Sequence, residues 1–288
     1  MAQTLTEIKA MLGAHGLHPK KRLGQNFLHD HNQMRRIVAA AGVGPGDAVL
    51  EVGPGTGALT EWLLEAGCEV VLAEADGDFE PILRERLLQW TGRWDLVIGD
   101  VLAGKHELSP AVVAALRARF GDRPYVMVAN LPYQVASPLL IDLVLDEPGM
   151  RGAVVMVQKE VADRITAAPG SRDYGPLSVL VQAACVAERV GVLGPGCFWP
   201  APTVDSAVVK LTRRAEPVTP DLRRLAAVTQ QLFQRRRKQL GTIVGRGRAL
   251  PEGIDAAQRP ETLTVAQLAA LAGWMRGEGE GGGDPGLA

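Results

Sequence analysis

The octapeptide Glu51-Val52-Gly53-Pro54-Gly55-Thr56-Gly57-Ala58 joins an apolar run at 48–52 to an amphipathic stretch at 59–66. Three alternating glycines exceed what a strand-to-helix turn requires, and they let the backbone pass close to a ligand. The same rhythm continues down the chain, with short apolar runs at 70–73, 96–98, 126–129 and 153–157 separated by helical patterns such as 112–119. Alternation of this kind implies a mainly parallel sheet covered on both faces. The glycine loop then sits at the carboxyl end of the first strand of that sheet, the edge where such sheets bind ligands. The fold expected is α/β, with a Rossmann-like sheet and helices on both of its faces.

Local signals refine the outline. Asp30 reads as the N-cap and Gly42 as the stop of a helix, while Ser109-Pro110 and Ser137-Pro138 each place a capping hydroxyl before a proline at the first helical position. After Val190 the texture changes to Gly194-Pro195-Gly196 and Phe198-Trp199-Pro200-Ala201-Pro202, then a run at 207–211, which predicts an antiparallel strand pair closing the sheet. Beyond Arg213 helical spacing takes over: Leu222, Leu225, Ala226, Leu232 and Phe233 share a face, as do Leu268, Leu271, Ala272 and Met275. The expected domains are therefore 1–213, carrying the sheet and an N-terminal basic segment, and 214–276, small and all-helical. The Gly-rich tail at 277–288 is expected to be disordered.

Net charge is only −1, but its distribution matters more than its sum. Between Lys210 and Arg248 eleven basic residues face two acidic ones, and residues 1–40 hold six basic residues against two acidic. Both ends suit a polyanionic partner. Three dispersed cysteines fit neither a disulfide framework nor a zinc site, and no run of about 20 apolar residues or cleavable leader is present. A soluble, cytoplasmic protein with no metal and no membrane association is expected.

The loop alone leaves two cofactor classes open. It meets the dinucleotide fingerprint through Ala58, and Glu74 follows Gly53 at the spacing of a ribose-binding carboxylate, but NAD and S-adenosylmethionine both carry an adenosine. Asp100, after the third run, is placed to accept from an adenine amino group, or to serve as a cap or solvated loop acid. The discriminating stretch is Asn130-Leu131-Pro132-Tyr133. An adenine amino nitrogen is a poor nucleophile because its lone pair is delocalised into the ring. The Asn130 amide oxygen, with the Leu131 carbonyl held by the Leu-Pro geometry, could accept both N–H bonds and direct that lone pair at a sulfonium, while Tyr133 stacks on the base. A turn-forming Asn-x-Pro is the plainer alternative.

Motifs along nearly the whole chain point the same way: Lys21-Arg22-Leu23-Gly24-Gln25-Asn26-Phe27-Leu28, the glycine loop, Asn130 to Tyr133, Gln158 to Ala162, Tyr174 to Val179, Val204 to Val208, and Phe233-Gln234-Arg235-Arg236-Arg237-Lys238. Together they resemble the ribosomal RNA adenine dimethyltransferase family, and within it the enzymes that dimethylate two adjacent adenosines near the 3′ end of 16S rRNA. The resemblance implies a class I methyltransferase sheet with S-adenosylmethionine as cofactor. It implies that Asn26, Leu28, Gly53, Gly55, Glu74 and Asp100 line the cofactor pocket, that Asn130 bridges cofactor and target amine, and that Phe198 faces the base opposite Tyr133. A flipped base held between apolar faces fits that arrangement. The basic segments, Lys20, Lys21 and Arg22 at one end and Arg235, Arg236, Arg237 and Lys238 at the other, are expected to contact rRNA phosphates in the small ribosomal subunit, with the protein acting as a monomer. Gln239-Leu240-Gly241-Thr242 and Gln134 depart from the family pattern. A large-subunit rRNA methyltransferase and a non-catalytic assembly factor are the rivals; damage to the glycine loop or to Asn-Leu-Pro-Tyr would mark the latter, and both stretches are intact.

Overall fold

The structure is a computed structural model that describes residues 3–104, 107–132, 135–245 and 247–277, the last two by backbone alone. In chain order its elements are α1 (Leu5–Ala14), β1 (Phe27–Leu28), α2 (His31–Ala41), β2 (Ala48–Val52), α3 (Ala58–Glu65), β3 (Glu69–Glu74), α4 (Glu80–Arg86), β4 (Trp94–Ile98), α5 (Pro110–Phe120) and β5 (Tyr125–Asn130). There follow α6 (Ala136–Asp146), β6 (Met150–Gln158), α7 (Lys159–Ile165), α8 (Pro176–Ala184), β7 (Cys185–Leu193), β8 (Phe198–Trp199), β9 (Ser206–Arg213), α9 (Leu222–Gln234), α10 (Leu240–Val244) and α11 (Val265–Gly277). The tail expected to be disordered lies, apart from Gly277, outside the described residues.

Seven strands form one sheet in the order β4-β3-β2-β5-β6-β9-β7. β2 pairs in parallel with β3 and with β5, β3 with β4, and β5 with β6, whereas β9 runs antiparallel to β6. Successive strands step outward from β2 in one direction and then, from β5, in the other. This reversal opens a crevice beyond the carboxyl ends of β2 and β5. Both strands are buried from end to end apart from the half-buried Asn130, and Val49, Leu50, Met127 and Val128 are fully enclosed between helices. The lone charge inside that apolar run, Glu51, is also buried.

Capping chemistry sets several boundaries. Asp30 accepts from the Gln33 N–H and Gly42 adopts φ +62 at the end of α2, as the sequence predicts. Ser109 stands at the N-cap of α5, with Pro110 at N1, but its hydroxyl makes no capping bond. Ser137 and Pro138 lie inside the first turn of α6, whose N-cap is Val135. The serine signal is displaced there because the chain turns directly out of the Asn130 loop, where the Val135 N–H bonds the Pro132 carbonyl. The expected antiparallel closure is present, with β9 running antiparallel to β6 and β7 beyond it at the sheet's edge, but the Phe198-Trp199 segment takes no part: β8 leaves the main sheet and pairs antiparallel with β1, Phe27 opposite Trp199 and Leu28 opposite Phe198. Two-residue strands have no readable period, so only the structure reveals this pairing.

The chain forms two compact units, Met1–Ala162 with Ala187–Thr212, and Asp163–Val186 with Arg213–Ala288. The second unit thus takes a segment from within the expected 1–213 domain. α8 is apolar almost all round, with Leu177, Val179, Leu180, Val181, Ala183 and Ala184 buried, and it packs on α9 and α11 to complete a helical core that those two could not close alone. The Tyr174 ring, fully buried, meets Phe233 edge-on with centroids 6.1 Å apart. Among the described residues no helix is long and apolar enough to cross a membrane, and no cluster of His, Cys, Asp or Glu could hold a metal.

Candidate cofactor and substrate site

At the carboxyl end of β2 the chain must leave the sheet and enter α3 without covering the crevice. Gly53, Gly55 and Gly57 do so with φ of +70, +55 and +81, a region other residues enter only at a cost. A Cβ on Gly55 would come within 3.0 Å of the Phe27 ring. The loop is tied to its neighbours: the Gly53 N–H donates to the Ala73 carbonyl at 2.8 Å, and the Gly55 N–H to Glu74 Oε2 at 2.9 Å. The other carboxylate oxygen of Glu74 accepts from the Asp76 N–H, also at 2.9 Å. Burial raises the Glu74 carboxyl above the ordinary carboxylate range in spite of these bonds.

Glu51, one residue before the end of β2, is more deeply enclosed. Its Oε2 accepts from the Thr60 hydroxyl at 2.7 Å, and burial pushes its carboxyl up to about 8, with the neighbouring Glu74 adding to the rise. It therefore holds its proton at neutral pH. Sequence reasoning passed over Glu51, although an acid inside a continuous apolar run beside a glycine loop was a readable signal.

The opposite wall comes from β5 and the segment before β1. Asn130 donates from Nδ2 to the Asn26 backbone carbonyl at 3.0 Å. A carbonyl only accepts, so the amide nitrogen must face Asn26 and Oδ1 is turned away from it. The Leu131 N–H bonds the Met156 carbonyl at 3.0 Å, which fixes the chain just after Asn130. Phe198 is buried opposite Leu28 through the β1–β8 pair, and Phe27 packs between Phe79 and Trp199 with ring centroids 5.7 and 6.3 Å away. Asp100 is exposed, and its Oδ1 accepts from the Leu102 N–H at 3.0 Å.

These residues surround one cavity of about 320 Å³. Asn26, Leu28, Gly53, Gly55, Glu74, Asp100, Asn130, Leu131 and Phe198 all line it, together with Glu51 and Gln25, which sequence reasoning missed, and Lys21 and Arg22. Tyr133 lies outside the described residues. Lys20 has carboxylate partners within the protein: its Nζ sits 2.7 Å from Asp76 Oδ1 and 2.6 Å from Asp78 Oδ2. Burial pushes the Asp76 carboxyl up, but bonds from Lys20 and Gln25 outweigh it and hold the group below its ordinary value. In the second unit Arg235, Arg237 and Lys238 are exposed in the turn after α9, whereas Arg236 bonds Glu261 at 2.7 Å and the Arg172 carbonyl at 3.2 Å.

The cavity separates the two cofactor classes. A dinucleotide would bring a pyrophosphate to the loop, yet the Gly55 N–H that would face it is already taken by the Glu74 carboxylate. A sulfonium amino acid joined to adenosine suits the cavity better, since it brings no pyrophosphate and finds carboxyl oxygens at hand to accept from its ribose hydroxyls. Strand order, the reversed β9 and this cavity define a class I S-adenosylmethionine-dependent methyltransferase.

Residues 16–276 match the model of the family described as ribosomal RNA adenine dimethylase, and the chain belongs to that family. It is an rRNA adenine methyltransferase, as the motif resemblance implied. Ribosomal RNA small subunit methyltransferase A of Nocardia farcinica is 42% identical, over 92% of this chain and 93% of that protein. The protein of that name from Phenylobacterium zucineum is also 42% identical, over 95% and 94%. Among solved structures, a dimethyladenosine transferase from Plasmodium falciparum shares the fold with a TM-score of 0.73 at 24% identity, covering 88% of this chain and 98% of that one. The 23S rRNA methyltransferase ErmE gives 0.65 at 27% identity, covering 86% and 98%.

Proposed function

We propose that this enzyme dimethylates N6 of two adjacent adenosines near the 3′ end of 16S rRNA during maturation of the small ribosomal subunit, acting in the cytoplasm as a monomer. The observation that carries the chemical part is the bond from Asn130 Nδ2 to the Asn26 carbonyl, which commits the amide oxygen to a partner other than the protein wall behind it. The choice of RNA rests on relatives named for the small subunit that match over more than nine-tenths of the chain.

S-adenosylmethionine supplies a methyl group on an electrophilic sulfonium. Glu74 would accept from its ribose hydroxyls and Asp100 from its adenine amino group, while Gly53 and Gly55 leave room for its backbone-side face, with Asn26 and Leu28 closing the opposite side. Asn130 Oδ1 and the Leu131 carbonyl accept the two N–H bonds of the target amine, drawing its lone pair out of the ring and along the line of transfer. Phe198 and Tyr133 hold the flipped base by its faces. The proton lost from the methylated nitrogen passes to water.

Lys21 and Arg22 beside the cavity, and Arg235, Arg237 and Lys238 in the second unit, are assigned to rRNA phosphates, which position the substrate without selecting the base. Lys20 and Arg236 are better placed to support the segments that carry these contacts. The test is transfer of labelled methyl groups to unmodified small and large subunits, followed by nucleoside analysis. Label in N6,N6-dimethyladenosine from small subunits is expected. Label confined to 23S rRNA would overturn the choice of target.

A further inference from the structure

Gln25 makes two hydrogen bonds of opposite polarity. Its Oε1 accepts from the Lys20 N–H at 2.7 Å, and its Nε2 donates to Asp76 Oδ2 at 2.8 Å. Asp76 Oδ1 receives the Lys20 ammonium, and the Asp76 N–H is held by Glu74. The chain turns at Gly24, φ +63, and the next residue after Gln25 is Asn26, whose carbonyl receives the Asn130 amide. A continuous set of bonds therefore runs from the cofactor-side carboxylate Glu74 through Asp76 and Gln25 to the carbonyl that orients Asn130. Asp76 is buried at the N-cap of the turn Gly77–Phe79, where its Oδ1 also accepts from the Asp78 N–H at 3.3 Å.

We propose that Gln25 is a positioning residue for methyl transfer: clamped between Lys20 and Asp76, it fixes the Asn26 carbonyl and thereby the direction of the Asn130 amide oxygen. The inference rests on the role given to Asn130 above. Gln25 lines the cavity, but both of its polar groups are engaged by the protein, so its effect reaches the reaction through Asn26 and not by direct contact. The amide is required at this position because one neighbour, the Lys20 N–H, only donates and the other, the Asp76 carboxylate, only accepts. A rate that depends on a near-attack geometry is sensitive to displacements well under 1 Å in size, whereas cofactor affinity is spread over many contacts.

The test uses the full chain with unmodified small subunits in single-turnover methyl transfer, beside calorimetric titration of S-adenosylmethionine. Gln25→Ala and Gln25→Glu should each slow transfer by roughly tenfold or more while cofactor affinity stays within about threefold of wild type. The pair Gln25→Glu with Asp76→Asn exchanges acceptor and donor across the same bond, and it should restore the rate to within about threefold. In cofactor-free protein, the side-chain NH2 protons of Asn130, followed by NMR, should exchange faster with solvent in Gln25→Ala and return toward wild type in the pair. Equal losses of rate and affinity, no rescue by the pair, or a wild-type rate in Gln25→Ala beside a slow Asn130→Ala would each overturn the clamp. A wild-type rate in Asn130→Ala would instead remove the reading on which the clamp rests, and the inference with it.

Discussion

Glu74 and Gly55, 19 residues apart, are joined by a hydrogen bond of 2.9 Å from the Gly55 N–H to Oε2, so the end of β3 holds the glycine loop in place. With the Asp76 N–H on Oε1, both carboxylate oxygens already serve the protein while facing the cavity. Glu74 is thus part of the loop's architecture as well as the proposed ligand for ribose.

Glu74→Ala should weaken S-adenosylmethionine binding by about 1.5–3 kcal/mol, the range for a hydrogen bond to a charged group. It should also lower Tm, because two buried backbone N–H groups lose their acceptor. Calorimetry and thermal unfolding of one sample measure both. Unchanged affinity with a lowered Tm would confine the carboxylate to the loop, and no change in either would remove it from the account.

Glu51 gives a pH signature. Its carboxyl titrates near 8 in the folded chain because it is buried, against an ordinary 4.5 in the unfolded chain. Between those values the folded state binds more protons than the unfolded one, so stability falls as pH rises from about 4.5 to 8 and levels off above. Glu51→Gln keeps the acceptor for Thr60 and removes the ionisation. Urea unfolding from pH 5 to 8.5 should show wild type losing stability relative to the variant as pH rises. Parallel curves would mean that Glu51 is ionised throughout.

Much of the fold was legible in the sequence because its signals are local. The strand at 48–52, the glycine loop, the Asp30 cap and the Gly42 stop each depend on neighbours in the chain. What remained hidden depends on partners far away. The Lys20–Asp76 ion pair spans 56 residues, so a lysine that its basic run presents as a phosphate contact has carboxylate partners that only the structure reveals. The pairing of Phe27-Leu28 with Phe198-Trp199 has too few residues to leave a pattern. α8 is buried almost all round, which erases the periodicity that marks a helix on a domain surface and hides its place with α9 and α11. The cavity residues found from motifs, Asn26, Gly53, Glu74 and Asn130, come together as expected; Glu51, Gln25 and Asp76 needed the structure.

The three exposed cations after α9 should report on RNA docking. Neutralising Arg235, Arg237 and Lys238 together is expected to make log affinity against log salt shallower by about 2–3, from 0.7–0.9 per phosphate contact. Cofactor affinity should stay near wild type. Arg236→Ala, which removes the bond to Glu261, should act chiefly on stability, by no more than about 1 kcal/mol for a partly exposed pair. Subunit binding over a salt series measures the slope, and an unchanged slope would show that the three cations face only solvent.

The most direct test of the central claim, that the Asn130 amide held by Asn26 makes the adenine nitrogen nucleophilic, is single-turnover methyl transfer by Asn130→Ala on unmodified small subunits with saturating S-adenosylmethionine. Removing one preorganised hydrogen-bonding group of this kind costs about 10²–10³ in rate, because the bond matters most as the transition state forms. A loss of that size is expected, with cofactor affinity changed by no more than about 1 kcal/mol. A rate within a few-fold of wild type would contradict it.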